Sequence, residues 1–244
     1  MRQVTIGIGE RATALAVHQQ AVTIVIDALR ASSTLSLLFH KGAFEVLAFP
    51  ELKDLFEEKE RHPQCLLVGE RGALKVPGFD YSNSPTEIER ASDEDIKGKR
   101  VLFTSTTGVR RLLAVSSCPA VLVGCPANAS SVCHLAVMRA KELKKPLVIV
   151  ACGVWGKGAE WALEDVAAAW FLADRIGADH VIGPDRPQGD LLTLFLSSPH
   201  GQTLRQLGLE EDILWCAQVD TIGVVPEVIG ATPTYVRLAK AVNG

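Results

Sequence analysis

Four stretches of this chain set side chains that can bind ions or move protons at the ends of apolar runs. DALRASST at 27–34 places Asp27 directly after the run VTIVI and Arg30 three residues on. The carboxylate could hold a divalent cation and the guanidinium an anionic oxygen; an Asp N-cap beside an exposed Arg would read the same way. GERGALKVPGFDYSNSP at 69–85 holds Glu70 and Arg71, then Asp80, Asn83 and Ser84 in a loop stiffened by Pro77 and Pro85. Such oxygen donors suit a hard cation such as Mg2+, which keeps waters and takes its remaining ligands from a phosphate. An ion pair pinning a surface loop is the plainer alternative. TSTTGVRR at 104–111 follows a strand-like run and opens a helix-like one. Thr104, Ser105, Thr106 and Gly108 let backbone amides approach an anion at a helix N-terminus, and Arg110 or Arg111 could add a fork. It is not a Walker A loop, because the GxxxxGK[ST] spacing is absent, and an ordinary capped helix start fits it too. Glu164-Asp165 stands in a first helical turn, where the helix dipole alone favours acids. His200, in SPHG near a helix start, is the one histidine placed to act as an acid or base.

These residues need elements to hold them. The pattern predicts a strand at 22–26, a helix at 31–40, a strand at 44–49 and a helix at 51–61. It continues with strands at 65–68, 100–103, 120–123 and 146–151, and helices at 131–143 and 163–176, the first of these capped by Asn128 or Ser130. Strands that are apolar throughout are buried on both faces. Their alternation with helices predicts an α/β chain, a three-layer α/β/α sandwich with a mainly parallel sheet. Residues 1–244 read as one such domain or two closely packed lobes. Ligands of such sheets bind outside the carboxyl ends of the strands. Asp27, Glu70, residues 104–108, Asn128 in GCPANAS and the Gly-rich CGVWGKG at 152–158 all fall there. Trp155 and Trp161 flank that last loop and either roof a pocket or pack in the core. The tail from Leu209 reads as a helix with an edge strand, or as an arm on a neighbouring subunit. Its Trp215, Val219, Ile222, Val224 and Val225 offer either a homodimer face or completion of the sheet.

Composition narrows the classes. Lys plus Arg number 25 against 28 Asp plus Glu, for a net charge of −3, which argues against a general nucleic-acid binder. No apolar run reaches the roughly 18 residues of a membrane span. Glu10 and Arg11 interrupt the N-terminal stretch where a secretory signal would be apolar. Six cysteines stand at 65, 118, 125, 133, 152 and 216 with no CxxC or zinc-like spacing, so reduced thiols in a cytoplasmic protein are expected.

Taken in order, D-x-L-R-A-S-S, GERG-x-x-x-x-PGFD-x-x-NSP, T-S-T-x-G-x-R, GCPANAS, A-L-E-D and HG-x-x-L-x-x-LGLEEDI-x-x-CA-x-x-D-x-x-x-x-VP resemble the 2-phosphosulfolactate phosphatase family. The resemblance runs from about Val22 to Pro226. It implies a Mg2+-dependent phosphatase of α/β/α fold that converts (2R)-2-phospho-3-sulfolactate to 3-sulfolactate and phosphate, on the route to coenzyme M. The family loop usually reads T-T-T-N-G-T-R; here Thr107 replaces the Asn and Val109 a Thr, which removes an amide able to donate to substrate.

With that reaction in view, Asp27, Glu70, Arg71, Glu164 and Asp165 are the catalytic candidates, and Asp27, Glu70 and Asp80 the metal ligands. Arg30, Asn83, Ser84, Thr104, Ser105, Thr106, Gly108, Arg110 and Asn128 are candidates to hold a small anionic phosphate ester. The attacking group is either a carboxylate such as Asp27 or a metal-activated water. Two other readings remain: the same chemistry on another 2-phospho-hydroxyacid, and a catalytically silent anion-binding protein.

Overall fold

The structure is a computed structural model that describes residues 3–242. Its strands are β1 (Gln3–Ile8), β2 (Val22–Ile26), β3 (Glu45–Ala48), β4 (Leu66–Arg71), β5 (Leu74–Lys75), β6 (Arg100–Thr104), β7 (Ala120–Val123), β8 (Leu147–Ala151), β9 (His180–Ile182), β10 (Pro226–Ala231) and β11 (Val236–Lys240). Its helices are α1 (Gly9–Gln19), α2 (Ala31–His40), α3 (Leu52–Arg61), α4 (Pro85–Arg90), α5 (Asp93–Ile96), α6 (Gly108–Ala114), α7 (Ala129–Leu143), α8 (Leu163–Ile176), α9 (Leu191–Ser197), α10 (Pro199–Gln206) and α11 (Glu210–Cys216).

All eleven strands join one sheet in the order β5-β4-β6-β3-β11-β10-β7-β2-β8-β1-β9. The pairs β1–β8, β1–β9, β2–β7, β2–β8, β3–β6 and β4–β6 are parallel. The hairpin β10–β11 is antiparallel and joins β7 to β3. Alternation along each strand builds the layers. Ile24 and Ile26 of β2 and Ile149 of β8 pack with Val132 and Leu135 of α7 and Leu172 of α8. Val25, Val148 and Val150 face the other way, toward Ala12 and Ala16 of α1, Leu35 and Leu38 of α2, and Leu112 of α6. Two apolar cores on opposite faces make the expected α/β/α sandwich.

Two expectations change. The strand expected at 65–68 runs on through Glu70 and Arg71, because Glu70 pairs with Lys75 and Arg71 with Leu74 in a short hairpin. The C-terminal strands are not at an edge: they lie between the two parallel halves of the sheet. Trp215, Ile222, Val224 and Val225 are accordingly buried within the chain, and of the five residues weighed as a homodimer face only Val219 is exposed. Among the described residues no helix is long and apolar enough to cross a membrane.

Candidate active site

The loops leaving β2, β4, β6 and β8 enclose a cavity of about 200 Å³. Asp27, Glu70, Glu164 and Asp165 line it, with Arg30 and His200 as the cationic counterparts. Four acids from three separate chain segments thus meet at one cavity.

Asp27 is the first residue beyond β2. Its backbone N–H donates to the Ser32 hydroxyl (2.9 Å), and its Oδ1 accepts weakly from the Ala31 amide (3.4 Å). A Cβ added to Gly108 would stand 2.6 Å from Asp27 Oδ2. Glycine at 108 therefore makes room for the Asp27 carboxylate. Burial pushes the Asp27 carboxyl up to about 6, against the opposing pull of His200 and with a further push from Glu70 and Glu164.

Asp165 lies beneath it and acts as a clamp. Its two oxygens accept from the Ala28 amide and the Gly153 amide, each at 2.7 Å, tying the end of β2 to the end of β8. Burial, with Glu164 and Asp27 nearby, raises its carboxyl well above the usual range. Glu164, at the start of α8, has Oε1 3.5 Å from His200 Nδ1. Its Oε2 is buried with no partner. His200 enters from α10, whose start is set by Ser198 as N-cap and Pro199 at the first position. Burial pulls its imidazole down, but Glu164 and Asp27 outweigh that and hold it above its ordinary value.

Glu70 organises the loop after β6. Its Oε1 accepts from the Thr106 amide (2.6 Å), and its Oε2 from the Ala73 amide (2.8 Å) and the Thr106 hydroxyl (3.1 Å). The expected amide cradle at 104–108 is thus partly engaged already. Thr104 donates to the Phe49 carbonyl, and Ser105 accepts from the Val109 amide at the start of α6. Thr106 and Thr107 line the cavity; the Thr107 hydroxyl accepts from the Trp155 amide (3.0 Å).

Arg30 is 2% exposed and lines the cavity. Its Nη1 donates to Asp212 Oδ2 (2.6 Å) and its Nη2 to the Ala73 carbonyl (2.7 Å). Asp212, buried in the first turn of α11, also accepts from the Ser84 hydroxyl and from the amide and hydroxyl of Thr86. Sequence reasoning missed Asp212; its only signal was its place within LGLEEDI.

Several candidates belong elsewhere. Arg71 donates to the Glu70 and Pro50 carbonyls and does not line the cavity. Arg110 pairs with the exposed Glu51 and lies over the Trp155 ring. Asp80 accepts from the Leu67 amide, outside the cavity. Ser84 caps α4 and supports Asp212. Asn128 is fully buried, accepting from the Cys125 amide and donating to Ser36, Val123 and Val224. Its amide is consumed by the sheet–helix junction. Asn83 does line the cavity, and its Oδ1 is a second buried oxygen without a partner. Trp161 lines it too, on the pocket side of the alternative weighed for it.

The donor set suits a hard cation. Among the described residues Glu164 Oε2 and Asn83 Oδ1 lack any hydrogen-bond donor, and a buried acceptor left so is costly unless something fills it. Among the described residues no three His, Cys, Asp or Glu side chains form a ready-made metal cage. Mg2+ asks for one or two carboxylates, with water and substrate oxygens completing its shell.

The pattern of the 2-phosphosulpholactate phosphatase family matches residues 10–230. A protein of Picosynechococcus sp. called a probable 2-phosphosulfolactate phosphatase is 35% identical over 217 residues, covering 83% of this chain and 86% of its own. Proteins carrying the same description from Gloeobacter violaceus and Deinococcus radiodurans are 32% and 33% identical, covering 85% and 87% of this chain and 88% and 89% of theirs. The chain belongs to the 2-phosphosulpholactate phosphatase family.

Proposed function

We propose that this chain is a phosphoric monoester hydrolase that converts 2-phosphosulfolactate to 3-sulfolactate and phosphate, using Mg2+. The observation that carries the reading is the convergence of Asp27, Glu70 and Glu164, from the carboxyl ends of β2, β4 and β8, on one cavity, in a chain of this family. Asp27, Glu164 and Asn83 would hold the ion, with Glu70 behind them. When bound, Mg2+ supplies the positive charge that draws the phosphoryl oxygens in and offsets charge building up in the transition state.

The chain's own residues do the rest. Asp27, ionised above about pH 6, either takes the proton from an attacking water or attacks phosphorus itself. Asp165 holds the Asp27 loop and the Gly153 loop at a fixed separation. Arg30, locked in place by Asp212 and the Ala73 carbonyl, presents a pre-oriented guanidinium to an anionic oxygen. His200, steadied by Glu164, gives a proton to the departing alkoxide as the P–O bond breaks.

Phosphate release from synthetic 2-phospho-3-sulfolactate, with and without Mg2+ and beside phospholactate, tests the reading. Mg2+-dependent release from the sulfonated ester, lost in Asp27→Asn, is expected. Equal release from both esters would move the chain to another 2-phospho-hydroxyacid. That result would single out Thr107, whose hydroxyl is engaged by Trp155. No release from either would leave an anion-binding protein. Borohydride reduction of enzyme stopped in the steady state separates the two roles of Asp27, since it converts an aspartyl-phosphate to homoserine. The six cysteines are free and buried, which supports the expectation of a reducing, cytoplasmic setting.

A further inference from the structure

On the far side of the loop that follows β8 lies a second, larger cavity of opposite character. Its volume is about 700 Å³, and it shares Gly153 and Val154 with the acidic cavity. Arg11, Arg111 and Lys157 line it against a single acid, Glu10.

Arg111 anchors it. The residue is 4% exposed. Its Nε donates to the Cys152 carbonyl (3.2 Å), its guanidinium lies 4.8 Å from the Trp155 ring centre, and Gly9 packs against it: a Cβ there would sit 3.3 Å from Nη2. Neither Nη makes a hydrogen bond among the described residues. The nearest acid is Glu10, 3.8 Å from Nη1, and Glu10 is largely exposed. A guanidinium on a cavity wall with neither Nη hydrogen-bonded presents an open fork to an acceptor. Two further features point into the same space. The first turn of α1 lines it, and its N-cap Ile8 supplies no side-chain hydrogen bond. Gly156 and Gly158 line it, and a Cβ at Gly156 would meet nothing within 4 Å. The open fork, the exposed Arg11 and Lys157 and the start of α1 together suit a tetrahedral oxyanion.

We propose that this second cavity binds a small phosphate or sulfonate oxyanion. The loop between the cavities links it to the reaction site, because the Trp155 amide donates to Thr107 in the acidic cavity while the Trp155 ring packs on Arg111. Two sources share the chemistry: free phosphate, and the sulfonate end of the ester proposed above.

Calorimetric titration of inorganic phosphate into Mg2+-free Asp27→Asn protein tests the site without any turnover. Saturable binding is expected, weakened about tenfold in the Arg11→Ala/Lys157→Ala double variant. Those two side chains are surface-exposed, so folding is retained; Arg111→Lys, which keeps the charge and loses the fork, should weaken binding as well. Absence of binding, or equal affinity in the double variant, overturns the proposal. Kinetics of the double variant with Asp27 restored then assign the source, and only this arm rests on the proposed reaction. A raised KM for the sulfonated ester but not for phospholactate assigns the substrate's sulfonate. Unchanged KM values with weaker inhibition by phosphate assign the free anion.

Discussion

Two carboxylates at strand ends of one sheet have been treated in opposite ways. Glu45 opens β3 at an amino end, and Arg100, which opens β6, donates to its Oε2 at 2.6 Å. Arg237 of β11 adds bonds of 3.0 and 2.6 Å to Oε1. Burial alone would raise the Glu45 carboxyl, but the two guanidiniums win and hold it below its ordinary value. Asp27, just past the carboxyl end of β2, is half-buried among other acids and is pushed up to about 6. The chain can satisfy a buried carboxylate when stability requires it. At the acidic cavity it leaves Glu164 Oε2 without a donor, and that cavity is where the family's chemistry is proposed to occur.

Breaking the acidic cavity should cost activity rather than folding. Asp27→Asn is expected to lower kcat about 10³-fold or more, while its circular dichroism matches the unchanged protein; near-normal turnover would remove Asp27 from the mechanism. Asp212→Ala marks the boundary of the comparison, since Arg30 would stay buried without its counterion. Urea unfolding should show a loss of about 3 kcal/mol or more, together with reduced activity.

The pH response sharpens the contrast. A folded-state pKa raised above its unfolded value favours folding at low pH, and that advantage fades as pH climbs through the folded pKa. In chelator, Asp27→Asn should therefore match the unchanged protein below about pH 4. It should then become the more stable of the two by up to about 3 kcal/mol above pH 6; Tm measured against pH decides it. A depressed pKa has the reverse sign. Glu45→Gln should be less stable by about 1–2 kcal/mol at pH 7, with the gap closing as pH falls below the usual glutamate range and with phosphatase activity unchanged. Between these in size stands the ion. Mg2+ well above its dissociation constant should stabilise the unchanged protein by about 2–3 kcal/mol, raising Tm by several degrees. Glu164→Gln should blunt that rise; an equal rise in the variant would take Glu164 out of the ion's shell.

Much of this was legible along the chain because the relevant physics is local. VTIVI followed by Asp is a buried strand with an acid at its end, and the structure keeps the strand at 22–26 and the helix at 31–40 where hydrophobic spacing puts them. The same spacing marks 163–176 and so brings Glu164 and Asp165 to the start of α8. Side-chain direction was not legible. Glu70 and Arg71 are adjacent in one strand, where successive side chains point to opposite faces, so only one of them reaches the cavity. Asn128 and Ser105 are polar residues in the right loops, yet their hydrogen bonds close on the backbone.

The sequence by itself determined the strand–helix alternation, the acids and arginines at the strand ends, and the family, because period, capping and motif order are properties of neighbours in the chain. Tertiary structure decided which of those groups share a cavity. The Ala28 amide meets Asp165 across 137 positions, and Arg30 meets Asp212 across 182. It also placed the C-terminal hairpin between the two parallel halves of the sheet, where unpaired strand edges would otherwise be left. Such pairings depend on how sheet edges close and which buried charges find partners. Both are settled only when distant segments compete for the same interior.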